Sequence, residues 1–206
     1  MQVGIIGAGT LARAFAQKAI NAGHTVVFSS SRGPQALTET VAQFGSKATA
    51  ATTDAAARMP IVLLAVPWPR VETVLRELPA WNGRILIDPT NAFRDGTPSS
   101  GIVPFDDGSS SELVASLATG ARVVKAMNSM YMSNFAKEPA EGRFRRAIFI
   151  SGDDSDARTS VADLFESLGL APIELGSLAV GGRIQQAGGP MAAHDFFVPW
   201  PAARSF

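Results

Sequence analysis

The chain has 206 residues, with 18 Lys and Arg balanced by 18 Asp and Glu, and no cysteine. A length near one domain, an apolar fraction of 46% and zero net charge exclude disorder as the main state. The balance of charge excludes a nucleic-acid binder working by bulk electrostatics, and the missing cysteines exclude disulfides, thiolate metal sites and thiol nucleophiles.

The N-terminus, Met1 to Gly7, has no positive flank and no small-residue cleavage site, so it reads as a strand inside the fold rather than a signal peptide. Strands are expected at Val3–Ile6, Thr25–Phe28, Ile61–Val66, Ile85–Ile87, Val123–Ala126 and Ala147–Ile150, with a weaker candidate at Lys47–Ala50. Each is brief, aliphatic or branched, and bounded by Gly, Pro, Asn or Asp. Between them Leu11–Ala22, Pro34–Phe44, Val71–Leu78, Glu112–Ala118 and Ala157–Leu168 carry helical spacing of apolar residues. Continuous apolar strands joined by helices predict a doubly wound, mainly parallel Rossmann-type α/β sheet with helices on both faces. The run Ile61–Val66, stopped by Pro67 and Pro69, falls far short of the ~20 residues that span a bilayer, so a soluble cytoplasmic protein with no membrane partner is expected. Asp95–Ser111 is rich in Gly, Ser, Pro and Asp, and reads as a mobile loop or a lid. From Gly176 the pattern loosens, so residues 1–206 form one domain whose segment 176–206 is a C-terminal extension.

The most informative segment is Gly7-Ala8-Gly9-Thr10-Leu11-Ala12, where a strand runs directly into a helix. Gly7 permits the tight turn, Gly9 lets a pyrophosphate approach the backbone, and Ala12 permits close helix–strand packing. The N–H groups at Thr10 and Leu11 open the helix and face the anion with its positive end. Where a protein specific for NAD carries an acid after its second strand, this sequence has Ser30, Ser31 and Arg32, and no acid before Glu39. Hydroxyls and a guanidinium suit a 2′-phosphate, so NADP(H) is the expected cofactor.

Those residues, together with Leu64-Ala65-Val66-Pro67-Trp68, Asp88-Pro89-Thr90-Asn91, Val123-Val124-Lys125-Ala126-Met127-Asn128 and Phe149 to Asp154, resemble in their order the NADPH-dependent deazaflavin (coenzyme F-420) reductase family. The resemblance covers nearly the whole chain. It implies a Rossmann-like domain holding NADP with its nicotinamide facing the deazaflavin, and direct hydride transfer between the rings. Related NADPH-binding domains of Steap-type metalloreductases use a flavin instead. Two departures are Ala12 for the third glycine and Ala92 where the family often has proline. A third is the tail after Gly181, which should help shape the acceptor pocket.

The cofactor set expected on this reading is Gly7, Gly9, Thr10, Leu11, Ser30, Ser31, Arg32, Val66, Pro67, Trp68, Asn91, Met127 and Asn128. Val66 and Pro67 should line the cofactor through their backbone, with Trp68 covering ribose or acceptor, or packing as plain surface. Asn91 and Asn128 end successive strands and can offer amides to nicotinamide or acceptor, or else cap turns. Ser129, Met130 and Tyr131 follow as candidate walls of the acceptor pocket. Lys125 is either a phosphate contact or half of an ion pair. His24 reads as structural and His194 as a packed or solvated residue. The pair Asp153-Asp154 reads as a helix cap and Asp106-Asp107 as part of a polar loop. No metal site or acid–base residue stands out, which suits hydride transfer, since there the protein mainly orients rings and excludes water.

The function expected is therefore an NADP(H)-dependent oxidoreductase with a small-molecule acceptor, a deazaflavin first and a flavin, quinone or flavin-linked metal ion second. The alternative from another class is a non-catalytic NADP(H) sensor. The apolar tail residues Phe196, Phe197, Trp200 and Phe206 suggest a homodimer.

Overall fold

The computed structural model describes residues 1–105 and 108–201. Asp106, Asp107 and Phe206, singled out in the sequence, lie outside the described residues. The strands are β1 (Gln2–Ile6), β2 (Thr25–Ser29), β3 (Ala48–Ala50), β4 (Ile61–Leu64), β5 (Ile85–Asp88), β6 (Arg122–Ala126), β7 (Ala140–Glu141), β8 (Phe144–Gly152), β9 (Ala171–Glu174) and β10 (Phe197–Pro199). The helices are α1 (Thr10–Asn21), α2 (Thr38–Ala42), α3 (Thr53–Ala57), α4 (Val71–Glu77), α5 (Ser110–Leu117), α6 (Met132–Phe135), α7 (Ser155–Ser167) and α8 (Arg183–Gln185).

Six strands run parallel in the order β3-β2-β1-β4-β5-β6, the doubly wound arrangement expected. Strand β8 then adds antiparallel to β6, and carries β9 parallel at its far edge. The first part of β8, which precedes the strand expected at Ala147–Ile150, lies between β7 and β10. Alternation along the strands divides the core in two. Ile61 and Leu63 of β4 face the layer of α1 and α7, while Val62 and Leu64 face the layer of α4 and α5.

Several boundaries differ from the expected ones for local reasons. Strand β4 ends at Leu64, since Pro67 sets up a short 3-10 turn at Trp68–Arg70. The helix expected over 34–44 opens as a 3-10 turn behind Gly33, which adopts φ 82°, with Pro34 in its first position. The 95–105 segment is a folded loop. Phe93 bridges Ile102, Arg94 N–H donates to the Gly101 carbonyl at 3.0 Å, and Phe105 meets Trp68 edge to face at 5.9 Å. Phe105 thereby seats this part of the loop on the Val66-Pro67-Trp68 turn. The tail aromatics pack within the chain, Phe196 against Phe149 and Phe197 under the Arg146 guanidinium at 4.7 Å. No described helix is long and apolar enough to cross a membrane.

Candidate functional site

The strand order reverses between β1 and β4, since successive connections leave β1 in opposite directions. A crevice opens at the carboxyl ends of such a pair. It is a cleft of about 870 Å³, walled by Gly7 to Gly9, Ser30 to Gly33, Thr52 to Asp54, Ala65 to Pro67 and the side of α4 from Arg70 to Leu78. That volume lies in the range of ordinary ligand pockets.

The turn after β1 is built as the sequence predicts. Gly7 adopts φ 113°, and a Cβ there would stand 2.1 Å from the Ala65 carbonyl oxygen, so only glycine fits. A Cβ on Gly9 would meet no atom within 4 Å, so its open side lies toward the cleft. Gly9 caps α1 with no side-chain hydrogen bond, and the first turn of α1 holds no acid. Its leading N–H groups are thus left for a ligand anion. Across the cleft the Arg32 backbone N–H donates to Ser30 Oγ at 3.1 Å, which shapes the loop after β2. The exposed Arg32 guanidinium has no hydrogen bond or ion pair among the described residues. Arg70, which the sequence reading missed, adds a second guanidinium to the lining. Its position at the head of α4 carries no motif by which sequence alone would find it.

Of the expected set, Gly7, Gly9, Ser30, Ser31, Arg32, Val66 and Pro67 line this cleft together. Thr10 and Leu11 open α1 beside it. Trp68 turns to Phe105 instead of the cleft. Asn91, Met127 and Asn128 form a separate knot at the ends of β5 and β6. There Asn128 Nδ2 donates to Asn91 Oδ1 at 3.1 Å and to the Gln185 carbonyl at 2.6 Å, and Asn91 Nδ2 donates to the Asn128 carbonyl at 2.9 Å. Asn128 Oδ1 is buried with no donor facing it. Met127, fully buried, adopts φ 67°, a conformation that costs a non-glycine residue about 1 kcal/mol or more. Such strain persists where surrounding structure holds it, and here the asparagine knot does so. Ser129 and Met130 are buried behind this knot, while Tyr131 is exposed.

Lys125 is half of an ion pair. It is fully buried, and its Nζ donates to Asp88 Oδ2 at 3.4 Å, to the Thr90 carbonyl at 3.1 Å and to Ser110 Oγ at 3.2 Å. Burial pushes its pKa down from the ordinary lysine range, while Asp88 opposes the shift. Asp154 caps α7 by accepting from the Ala157 N–H, and Asp153 accepts from the Leu178 N–H, so this pair is structural. Beside the knot lies a second cavity of about 510 Å³, walled by Ala92, Phe105, Ser110, Arg183 and residues 186–190. The C-terminal extension supplies half of that lining.

A family described as NADP oxidoreductase, coenzyme F420-dependent, matches residues 2–92. The crystal structure of a hypothetical protein, SMa0349 from Sinorhizobium meliloti, is 35% identical, with 96% of each chain covered and a TM-score of 0.89. A putative F420-dependent NADP reductase from Arthrobacter is 27% identical over 86% of each chain, with a TM-score of 0.68. Residues 2–92 belong to the coenzyme F420-dependent NADP oxidoreductase family. The matched span of this oxidoreductase runs from β1 to just past Asn91, so it contains the glycine turn, the Ser30–Arg32 loop and the Val66–Pro67 turn. A curated relative, the metalloreductase STEAP3 of Rattus norvegicus, is 28% identical over 185 residues, or 89% of this chain. The chain spans about a third of that relative's length, 36%.

Proposed function

We propose that this chain is an NADPH-dependent reductase that passes hydride directly to a deazaflavin. The observation that carries the cofactor half is the Arg32 guanidinium, without a partner among the described residues, across the cleft from the open face of Gly9. The Gly9 turn and the head of α1 would hold the pyrophosphate, and Ser30, Ser31 and Arg32 the 2′-phosphate. Val66 and Pro67 would border the chain of the cofactor toward the asparagine knot. When bound, NADPH supplies the hydride. The protein's own part is to fix the ring, through the Asn91–Asn128 knot and its bare Asn128 Oδ1, and to exclude water with the loop seated on Trp68.

The deazaflavin is favoured by the family and by the name of the Arthrobacter neighbour. The second cavity, half built by the C-terminal extension, is the place for it. A second reading, a flavin-linked metal reductase, is favoured by the likeness to a metalloreductase. Mixing the purified protein with NADPH and, in parallel, a deazaflavin, FMN and a quinone separates the two. Oxidation of NADPH by the deazaflavin alone supports the first reading, and turnover with FMN that reduces ferric ion supports the second. NADPH binding without turnover in any arm overturns both.

A further inference from the structure

The second cavity touches a buried charge that ring orientation alone does not require. Ser110, the first residue of α5, lines the cavity. Its hydroxyl accepts from Lys125 Nζ at 3.2 Å and donates to no group of the described protein, so its own proton is free for whatever occupies the cavity. Behind it the three protons of the Lys125 ammonium are all placed, on Ser110, the Thr90 carbonyl and Asp88. Asp88, itself fully buried, accepts from the Thr90 N–H at 2.9 Å, the Thr90 hydroxyl at 2.5 Å and the Ser111 hydroxyl. A buried ion pair is rarely the most stable way to fill a core, and apolar residues of similar volume often do as well or better. This one touches a residue of the cavity wall, Ser110.

We infer that Ser110 and Lys125 form a proton relay into this cavity, in which Ser110 Oγ exchanges a proton with a nitrogen or oxygen atom of the bound redox acceptor. The inference rests on the reductase reading. Two-electron reduction by NADPH delivers a hydride, and the reduced acceptor needs one proton more. As the hydride's electron pair forms a bond on the acceptor, an acceptor heteroatom takes the Ser110 proton. The Ser110 Oγ–H bond re-forms as a Lys125 Nζ–H bond breaks, leaving Lys125 neutral beside Asp88. After product leaves, solvent protons return by the same hydroxyl, and oxidation runs every transfer backwards. Burial pushes the pKa of Lys125 down from the ordinary lysine range while Asp88 opposes the shift, and a lowered pKa makes the ammonium a better proton donor. Among the described residues, the groups around the pair come from four elements. Strand β5 contributes Asp88, α5 presents Ser110 and Ser111, β8 places Ser151 opposite in register, and the C-terminal segment contributes Gln185, which donates to the Lys125 carbonyl at 2.9 Å. Among the described residues, Arg183 is the charged side chain on the cavity's own lining.

The test compares wild type, Ser110→Ala and Ser110→Thr, with NADPH and a deazaflavin, FMN or a quinone as acceptor. For wild type, the relay gives a solvent isotope effect in D2O and a rate of acceptor reduction that falls as pH rises through the pKa of Lys125. In Ser110→Ala the rate should drop about 100-fold, with both signatures lost and NADPH affinity unchanged. Ser110→Thr should restore them. Without turnover, carbon-13 labelling of the four lysines, Lys18, Lys47, Lys125 and Lys137, should show the Lys125 signal, and not the other three, shifting in Ser110→Ala. A Ser110→Ala protein that keeps the rate, isotope effect and pH profile overturns the relay and leaves the reductase reading intact. Wild type that oxidises NADPH with none of the three acceptors overturns both.

Discussion

At Gly7 and Gly9 two residues of one turn are constrained by different partners, one by the protein and one by the ligand. Alanine at Gly7 would force φ 113° on a side chain and drive Cβ into the Ala65 carbonyl, so Gly7→Ala should cost a few kcal/mol of stability. Alanine at Gly9 meets no protein atom within 4 Å, so Gly9→Ala should melt close to wild type yet lose NADPH affinity by an order of magnitude or more. Thermal melts beside binding titrations decide this, and equal stability losses in the two variants would refute the division. Arg32 makes a sharper case about cofactor choice. A hydrogen bond to a charged group contributes about 1.5–3 kcal/mol, so Arg32→Ala should weaken NADPH binding by roughly 10- to 100-fold and barely touch NADH. An equal loss for both nucleotides would mean that Arg32 does not read the 2′-phosphate.

Among the elements, β5, β6 and α5 are tied by the Asp88–Lys125 pair more than by apolar packing alone. Lys125→Met strands a buried carboxylate. Breaking such a pair costs about 3–5 kcal/mol, and since Asp88 keeps its Thr90 and Ser111 donors the low end, about 3 kcal/mol, is expected in urea unfolding. The double variant Asp88→Asn/Lys125→Met should recover most of it, and a double variant as unstable as the single one would contradict this account. His24 ties a second set of elements, β2 to α7, through Ser167 Oγ at 2.8 Å. Burial first, then the Met1 amino group and Lys47, hold its pKa below the ordinary 6.5. The unfolded chain therefore takes up a proton before the folded one as pH falls below about 6.5, so stability should decline through that window and level off once the folded His24 is also protonated. His24→Gln should flatten the decline in melts run from pH 7 to 5. The strands that the sequence made legible are β1, β2, β4, β5, β6 and the Ala147–Ile150 half of β8, with β3 as the weaker candidate, because buried strands read as short apolar runs. Strand β9 contains Pro172 and pairs on one side only, and β10 is three residues ending in Pro199, so neither carries a buried-strand pattern. The cofactor turn was legible because its chemistry is local, with all its groups within a few residues. The Ser110–Lys125 contact was not, since its partners are brought together only when α5 packs over β5 and β6.

The whole molecule joins these pieces at one edge of the sheet. The nucleotide cleft draws on the ends of β1, β2 and β4, on α3 and on α4, while the second cavity draws on α5 and the C-terminal extension. The contact between Trp68 and Phe105 is the link between the loops that border the two, so cofactor bound in the first should be felt by the fold as a unit. A ligand present at 100 times its Kd and bound only to the folded state stabilises by about 2.7 kcal/mol. For a domain of this size each kcal/mol moves the melting temperature by about 2–4 °C, so saturating NADPH should raise it by roughly 5–11 °C in a single transition. NADH at the same concentration should raise it much less, and Arg32→Ala should bring the two shifts together. A split transition, with only one part of the chain protected, would mean that the C-terminal extension does not unfold with the sheet. The second cavity would then belong to a unit that responds to the acceptor alone.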